Sequence, residues 1–150
     1  MAALARFPPP ALFVISFVLA LRVDGAWPIA LGLGAAGDVI GCVVVAGGAL
    51  LAATCLAMFA RRHTTIVPHH RAKQLVTSGA YRFTRNPMYV ALATIYLGAA
   101  LLAHTLWPIV FLVVPIAFLS VITIPVEERI LLDAFGHDYR AYAERVRRWL

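Results

Sequence analysis

Apolar residues in this chain do not alternate with polar ones; they run in long blocks divided by short polar stretches. Behind Pro8-Pro9-Pro10, the block from about Ala11 to Val23 predicts a short membrane helix that takes in the Pro8 region. Arg6 before a short apolar core also suits a cleaved leader. Three prolines separate that charge from the core, however, and no A-x-A-like site follows, so a retained helix is expected. Arg22, Asp24, Gly25, Trp27 and Pro28 read as the turn that follows. A second block, Asp38–Ala60, is about 34 Å long at about 1.5 Å per residue, enough to span a bilayer. The preceding stretch, Gly32–Gly37, reads either as irregular or as the start of that helix. Gly37 and Gly41 are spaced GxxxG, and Gly47-Gly48 add a second smooth patch, which predicts close helix packing.

Arg61-Arg62-His63 ends the second block. Pro87 suits the first turn of a third helix, where its missing N–H costs nothing; that helix is expected to reach about Leu106. Trp107-Pro108 marks a tight turn, and a fourth apolar helix runs to about Pro125 with a kink at Pro115. The tail from Val126 is charged. Gly136 reads as a helix C-terminal residue and Asp138 as the cap of a second short helix. Tyr139, Tyr142, Val146 and Trp149 recur at helical spacing with Arg140, Arg145, Arg147 and Arg148 between them. That pattern predicts an amphipathic helix on the membrane surface.

Composition strengthens the membrane reading. Hydrophobic residues make up 62% of the 150 and charged ones 13%, against about 45–50% and about 25% in a soluble domain. The expected fold is all-α: one domain, an integral membrane bundle of about four transmembrane helices with a cytoplasmic C-terminal amphipathic helix. Residues 1–60 supply the N-terminal helices, and 61–150 a polar loop, a helical hairpin and the tail. The net charge of +6 flanks apolar blocks, so its partners are anionic lipids rather than nucleic acid. Four spans place both termini and the Arg61–Asn86 loop on one side. That loop carries Arg61, Arg62, Arg71, Lys73, Arg82 and Arg85 with no acidic residue. Only Arg22 of the 13 Lys/Arg residues falls opposite, and the positive-inside rule makes the basic side cytoplasmic. Trp27 and Trp107 then lie at the other interface.

Two polar groups carry the chemistry. Glu127 and Glu128 follow an apolar span directly, where a carboxylate is costly and two adjacent ones repel, so a cationic partner is expected. Arg82, Arg85, Arg129 or a cationic ligand fits that role; the plain alternative is two solvated interfacial carboxylates. Arg85-Asn86-Pro87-x-Tyr89 opens the third helix, whose N-terminus and guanidinium favour a carboxylate. Tyr81 and Tyr89 add aromatic faces, and Gly79 permits a sharp turn. The plain alternative is a helix start with a basic flank and interfacial tyrosines. A helical hairpin returns the chain to the level it left, so the two groups meet, and a zwitterionic amino-acid moiety satisfies both. His69-His70 lacks a third ligand at metal-site spacing. Cys42 and Cys55 read as packing residues. No P-loop, GxGxxG or Ser-His-Asp arrangement is present.

Leu75–Tyr89 (LVTSGAYRFTRNPMY), the EER of Glu127–Arg129 and the FGHDYRAY of Phe135–Tyr142 together resemble the isoprenylcysteine carboxyl methyltransferase and phospholipid methyltransferase superfamily. The likeness covers about Arg61 onward; residues 1–60 match only as apolar helices. It implies an S-adenosylmethionine-dependent membrane methyltransferase without a Rossmann domain. By resemblance, Leu75, Val76, Gly79 and Tyr81 line the adenosine side. Arg85, Asn86, Pro87 and Tyr89 hold the ribose and methionine end, and Glu127 and Glu128 meet the α-amino group. Arg85 and Glu128 are the catalytic pair expected to bind opposite ends of the methionine zwitterion; Glu128 is preferred because Glu127 lies one position nearer the apolar span, and the reverse assignment stays open. Asn86 stands where the prenylcysteine enzymes have His, and Lys73 where they often have His. Both departures weaken prenylcysteine specificity and fit the microbial branch. The expected acceptor is a lipophilic small molecule or lipid. Two other classes compete: an NADPH-dependent membrane reductase related to sterol reductases, and a non-enzymatic membrane scaffold.

Overall fold

The computed structural model describes residues 7–61 and 75–150, and the described residues are helical apart from turns and one isolated β-bridge. The first helix, α1 (Pro9–Ala26), starts with prolines in its opening turn, where no intrahelical N–H is required. It continues to Ala26, so the turn expected from Arg22 begins at Trp27 instead. The second helix, α2 (Gly34–Arg61), takes in most of the glycine-rich stretch that the sequence leaves open. A 3₁₀ turn at Gly79–Arg82 precedes α3 (Pro87–Leu102). Then comes a long interrupted rod: α4 (Trp107–Phe111), α5 (Val113–Phe118), a π-helical turn at Leu119–Thr123 and α6 (Ile124–Phe135). The last helix is α7 (His137–Arg145).

Three stretches are long and apolar enough to cross a membrane: Pro9–Ala26, Gly34–Met58 and Trp107–Phe135. Pro87–Leu102 is a shorter apolar helix. The chain is thus an all-α membrane bundle, as the blocks of hydropathy predict.

The rod departs from expectation at Pro125. Proline sits in the first turn of α6 and starts a helix there rather than ending one. Glu127 and Glu128 are therefore helical residues, not the start of a surface tail. Pro115 lacks the N–H that would bond the Phe111 carbonyl. That carbonyl accepts the Ser16 hydroxyl of α1 at 2.9 Å instead, and the helix breaks at Leu112.

The seam between α2 and α3 is made by glycine. A Cβ on Gly98 would lie 2.7 Å from the Val45 nitrogen and 2.8 Å from the Gly41 carbonyl oxygen. One on Gly48 would lie 3.0 Å from the Ala91 carbonyl oxygen. Gly41 and Gly48 thus do what the small-residue spacing predicts, whereas Gly47 faces open space. Phe13, Tyr89, Tyr96, Leu119 and Ile124 form the buried core, joined by Phe17, Leu112 and Trp149.

At the end of the bundle away from Arg85, Ala30 and Thr105 pair as an antiparallel bridge. Asp24 Oδ1 accepts the Thr105 hydroxyl at 2.5 Å, and His104 Nε2 lies 2.9 Å from Asp38 Oδ1. The Trp107 indole donates to the Trp27 carbonyl at 2.5 Å, so the two tryptophans share this end, as predicted.

Candidate functional site

At the other end, the start of α3, the first turns of α6, α7 and the segment after α7 converge. Glu128 is bridged by two guanidinium groups. Arg85 Nη1 lies 3.1 Å from its Oε1, which also accepts Arg148 Nε at 3.1 Å; Arg148 Nη2 reaches Oε2 at 2.7 Å. The carboxylate, as hydrogen-bond acceptor, pushes the Arg148 guanidinium above its usual range. One residue earlier, Glu127 Oε1 accepts the Tyr89 hydroxyl at 2.5 Å, and that hydroxyl is its one hydrogen-bond partner among the described residues. The hairpin therefore brings Arg85, Tyr89, Glu127 and Glu128 together, as its return geometry predicts.

The segment after α7 closes over this cluster. Arg85 N–H donates to the Arg147 carbonyl at 2.9 Å. The Thr84 hydroxyl and the Asn86 side-chain amide both donate to the Arg148 carbonyl, at 3.1 and 2.9 Å. The Trp149 indole donates to the Ser120 hydroxyl at 3.2 Å. The helical period expected to run through Val146 and Trp149 stops at Arg145. Val146 turns extended, which lays the following residues across the start of α3. Tyr139 and Tyr142 do not face the membrane surface: both are buried. Tyr142 donates to the Tyr81 carbonyl at 2.7 Å, and Arg85 Nη1 reaches the Tyr139 hydroxyl at 3.5 Å. Gly136, at φ 51°, is the hinge between α6 and α7 as expected, but it also takes the N-cap place, and Asp138 lies inside the first turn.

The remaining expected residues frame the cluster. Leu75 is half-buried and Val76 is buried. Gly79, at φ 61°, lies against α2 so closely that a Cβ would come 2.7 Å from Met58 Sδ. Burial pushes the Tyr81 phenol above its usual range, with Tyr142 and Glu127 adding to the shift. Pro87 is buried at the first position of α3 and Asn86 is its N-cap. The helix start does not present a free row of donors. The N–H groups of Arg85, Asn86, Tyr89 and Val90 are taken by Arg147 O, Thr84 Oγ1, Asn86 O and Asn86 O. Arg85 Nε is buried without a hydrogen-bond partner among the described residues. Arg82 and Arg129, the other candidate cations, are exposed and pair with neither glutamate among the described residues. His69, His70, Arg71 and Lys73 lie outside the described residues.

Arg148 is the residue the sequence reading missed. A signal was present: two adjacent carboxylates ask for two cations, and Arg85 supplies only one. The four tail arginines were further candidates for it beside Arg82 and Arg129.

The model of the phospholipid methyltransferase family matches residues 37–138, more than half of the chain. The chain belongs to this family. The interval that carries membership of the phospholipid methyltransferase family runs from α2 into α7 and contains Arg85, Tyr89, Glu127 and Glu128. Arg148 falls beyond it. Two curated relatives, from Oryza sativa subsp. indica and subsp. japonica, are each named probable protein-S-isoprenylcysteine O-methyltransferase. Each is 31% identical over 110 residues, covering 71% of this chain and 57% of the relative. This phospholipid methyltransferase family member thus spans little more than half the length of those relatives. No solved structure matches it.

Proposed function

We propose that this chain is a membrane-embedded methyltransferase that uses S-adenosylmethionine and acts on a lipophilic or lipid-like acceptor. The observation that carries the reading is the meeting of a guanidinium with a spare buried donor, Arg85, and a carboxylate with spare acceptor capacity, Glu127, in a chain of this family. A sulfonium amino acid has a carboxylate for the first and positive charge for the second. Glu128, taken up by Arg85 and Arg148, holds the guanidinium groups in place, so the ligand cation is assigned to Glu127. Tyr89 orients that carboxylate. Leu75, Val76, Gly79 and Tyr81 are the adenosine side in this reading, and Asn86 and Pro87 close the methionine end.

When bound, S-adenosylmethionine supplies a methyl group on a sulfonium, ready for in-line displacement. The chain's part is to bind, to orient and to exclude water. A carboxylate or thiolate acceptor needs no strong base, and no residue is assigned as one. The relatives' names favour an acceptor that carries an isoprenoid or acyl chain, which reaches the site through the bilayer. The distribution of Lys and Arg supports a cytoplasmic position for the basic end and the site; a cysteine at position 3 or 150 should resist membrane-impermeant labelling in intact cells.

Isothermal titration of the detergent-solubilised chain with S-adenosylhomocysteine and with NADPH tests the reading. Binding of the first and not the second is expected. NADPH binding alone would move the assignment to a reductase, and binding of neither to a non-enzymatic role.

A further inference from the structure

The long rod carries a polar group that the cluster leaves unused. Ser16, Thr54, Thr94 and Ser120, the other Ser and Thr residues of the apolar helices, each donate to a backbone carbonyl at 2.7 to 2.9 Å. Thr123 does not. The residue is 2% exposed, and its Oγ1 is buried with no hydrogen-bond partner among the described residues. The cause is local. A threonine inside a helix ordinarily gives its proton to a carbonyl three or four residues back. Four back from Thr123 is the Leu119 carbonyl, and the π-helical turn commits that oxygen to the Ile124 N–H. Buried hydroxyls left unmet are rare because each costs stability, so this one points to a partner outside the chain.

Two further observations say from which side that partner comes. Thr123 precedes Glu127 by four residues, so the two side chains share a helix face. The hydroxyl therefore lies one turn, about 5.4 Å, deeper along the rod than the cluster. The second observation is the seam that this face closes. The backbone of α3 runs close to α2 and meets the rod most closely at α4; beyond α4 side chains bridge the gap, with Tyr89, Leu119 and Ile124 in one buried group. Side chains change rotamer far faster than helices shift. This seam thus parts for a chain-like molecule more readily than the glycine-locked one between α2 and α3. The π-helical turn also reaches the outside of the bundle, at exposed Val121.

We propose that Thr123 is a specificity residue for the acceptor: its hydroxyl donates to the nucleophilic atom of a lipophilic molecule that enters between α3 and the π-helical turn. The inference rests on the methyltransferase reading, and it selects among acceptors. An oxygen or sulfur nucleophile that spends one lone pair on the methyl carbon keeps another for the Thr123 proton. A neutral amine has a single lone pair and keeps none. Thr123 therefore favours a carboxylate or a thiolate. Either reacts as an anion: its lone pair forms the new bond, the pair of the broken carbon–sulfur bond returns to sulfur, and no proton is released.

Thermal unfolding of the full chain in detergent micelles, without cofactor, tests the contact. The probes are N-acetyl-S-farnesylcysteine and dodecanoate, carboxylates on an isoprenoid and an acyl chain, and dodecylamine. A saturable rise in Tm is expected with at least one carboxylate. Thr123→Val should raise the midpoint of that titration by about tenfold, the loss of one charge-assisted hydrogen bond. It should leave the dodecylamine titration and the calorimetric affinity for S-adenosylhomocysteine as in the parent. Free of ligand, the variant should unfold no lower than the parent, because it loses an unmet donor and no bond. Thr123→Ser keeps the hydroxyl and should keep the parent's midpoint. A lower Tm of ligand-free Thr123→Val makes the hydroxyl structural and overturns the proposal. So does an equal effect on dodecylamine, an unchanged carboxylate midpoint, or no saturable shift with any probe. Failure of the parent to bind S-adenosylhomocysteine overturns the methyltransferase reading instead, whatever the probes do.

Discussion

Glu128→Gln removes one charge and disturbs three contacts. The carboxylate lies 3.1 Å from Arg85 Nη1 and accepts from Arg148 Nε and Nη2 at 3.1 and 2.7 Å. Side-chain exposure is 17% for Arg85, 20% for Glu128 and 39% for Arg148. Stranding one member of a buried pair costs about 3–5 kcal/mol, and breaking an exposed pair about 0.2–1. The Arg85 contact lies nearer the first limit and the Arg148 contact nearer the second. The substitution also leaves two guanidinium groups side by side without a counter-charge. A loss of about 2–3 kcal/mol is therefore expected on unfolding of the micelle-solubilised protein without ligand. Arg148→Gln alone should cost less, about 1 kcal/mol, because its side chain is better solvated. The double variant Arg85→Gln/Glu128→Gln should be more stable than the sum of its single effects by at least about 1 kcal/mol. Should Glu128→Gln unfold like the parent while losing S-adenosylhomocysteine affinity, the bridging role would be refuted and Glu128 itself would be the ligand contact.

Other predictions follow from single features. Glu127→Gln should weaken S-adenosylhomocysteine binding by about tenfold in calorimetry, the worth of one charge-assisted hydrogen bond; unchanged affinity would remove Glu127 from the site. Gly98→Ala should destabilise the protein by about 1–3 kcal/mol, since its Cβ would meet backbone atoms of α2 that cannot rotate away; Gly47→Ala, facing open space, should be near neutral in the same thermal assay. The Tyr142 phenol is raised from 10.0 to about 12, chiefly by burial. Its contribution to stability is thus complete below pH 10 and lost as pH rises toward about 12. Alkaline unfolding of Tyr142→Phe should lack that component.

The spans were legible because the bilayer demands long apolar helices and the chain supplies them in blocks. The Arg85–Glu128 meeting was legible for a related reason: a hairpin returns to its own level, and charge at that level asks for a partner. Other parts turned on ambiguous local signals. Pro125 after an apolar run reads as a stop, yet in the first turn of α6 it is a start. Tyr139, Tyr142, Val146 and Trp149 keep helical spacing, but the backbone leaves the helix after Arg145. Tertiary bonds from Thr84 and Asn86 to the Arg148 carbonyl outweigh the local period, and they lie more than 60 residues away in the chain. No local pattern encodes that pairing.

The shortness of α3 bears on the membrane itself. Its 16 residues give about 24 Å of helix, against a hydrocarbon thickness of about 30 Å. A helix that falls short makes the surrounding bilayer thin to meet it, at a cost of fractions of a kcal/mol per Å. The bond from Tyr89 to Glu127 ties the start of α3 to α6, so a bilayer that thins at that end of α3 would dimple at the cluster. Within such a dimple, water and headgroups would descend to the carboxylates while acyl chains tilt aside. On the proposed function, a water-borne cofactor and an oil-borne acceptor would meet there without either crossing the other's solvent. Thicker host bilayers deepen the dimple and raise its elastic cost, so lipid chain length becomes a physical control on the site.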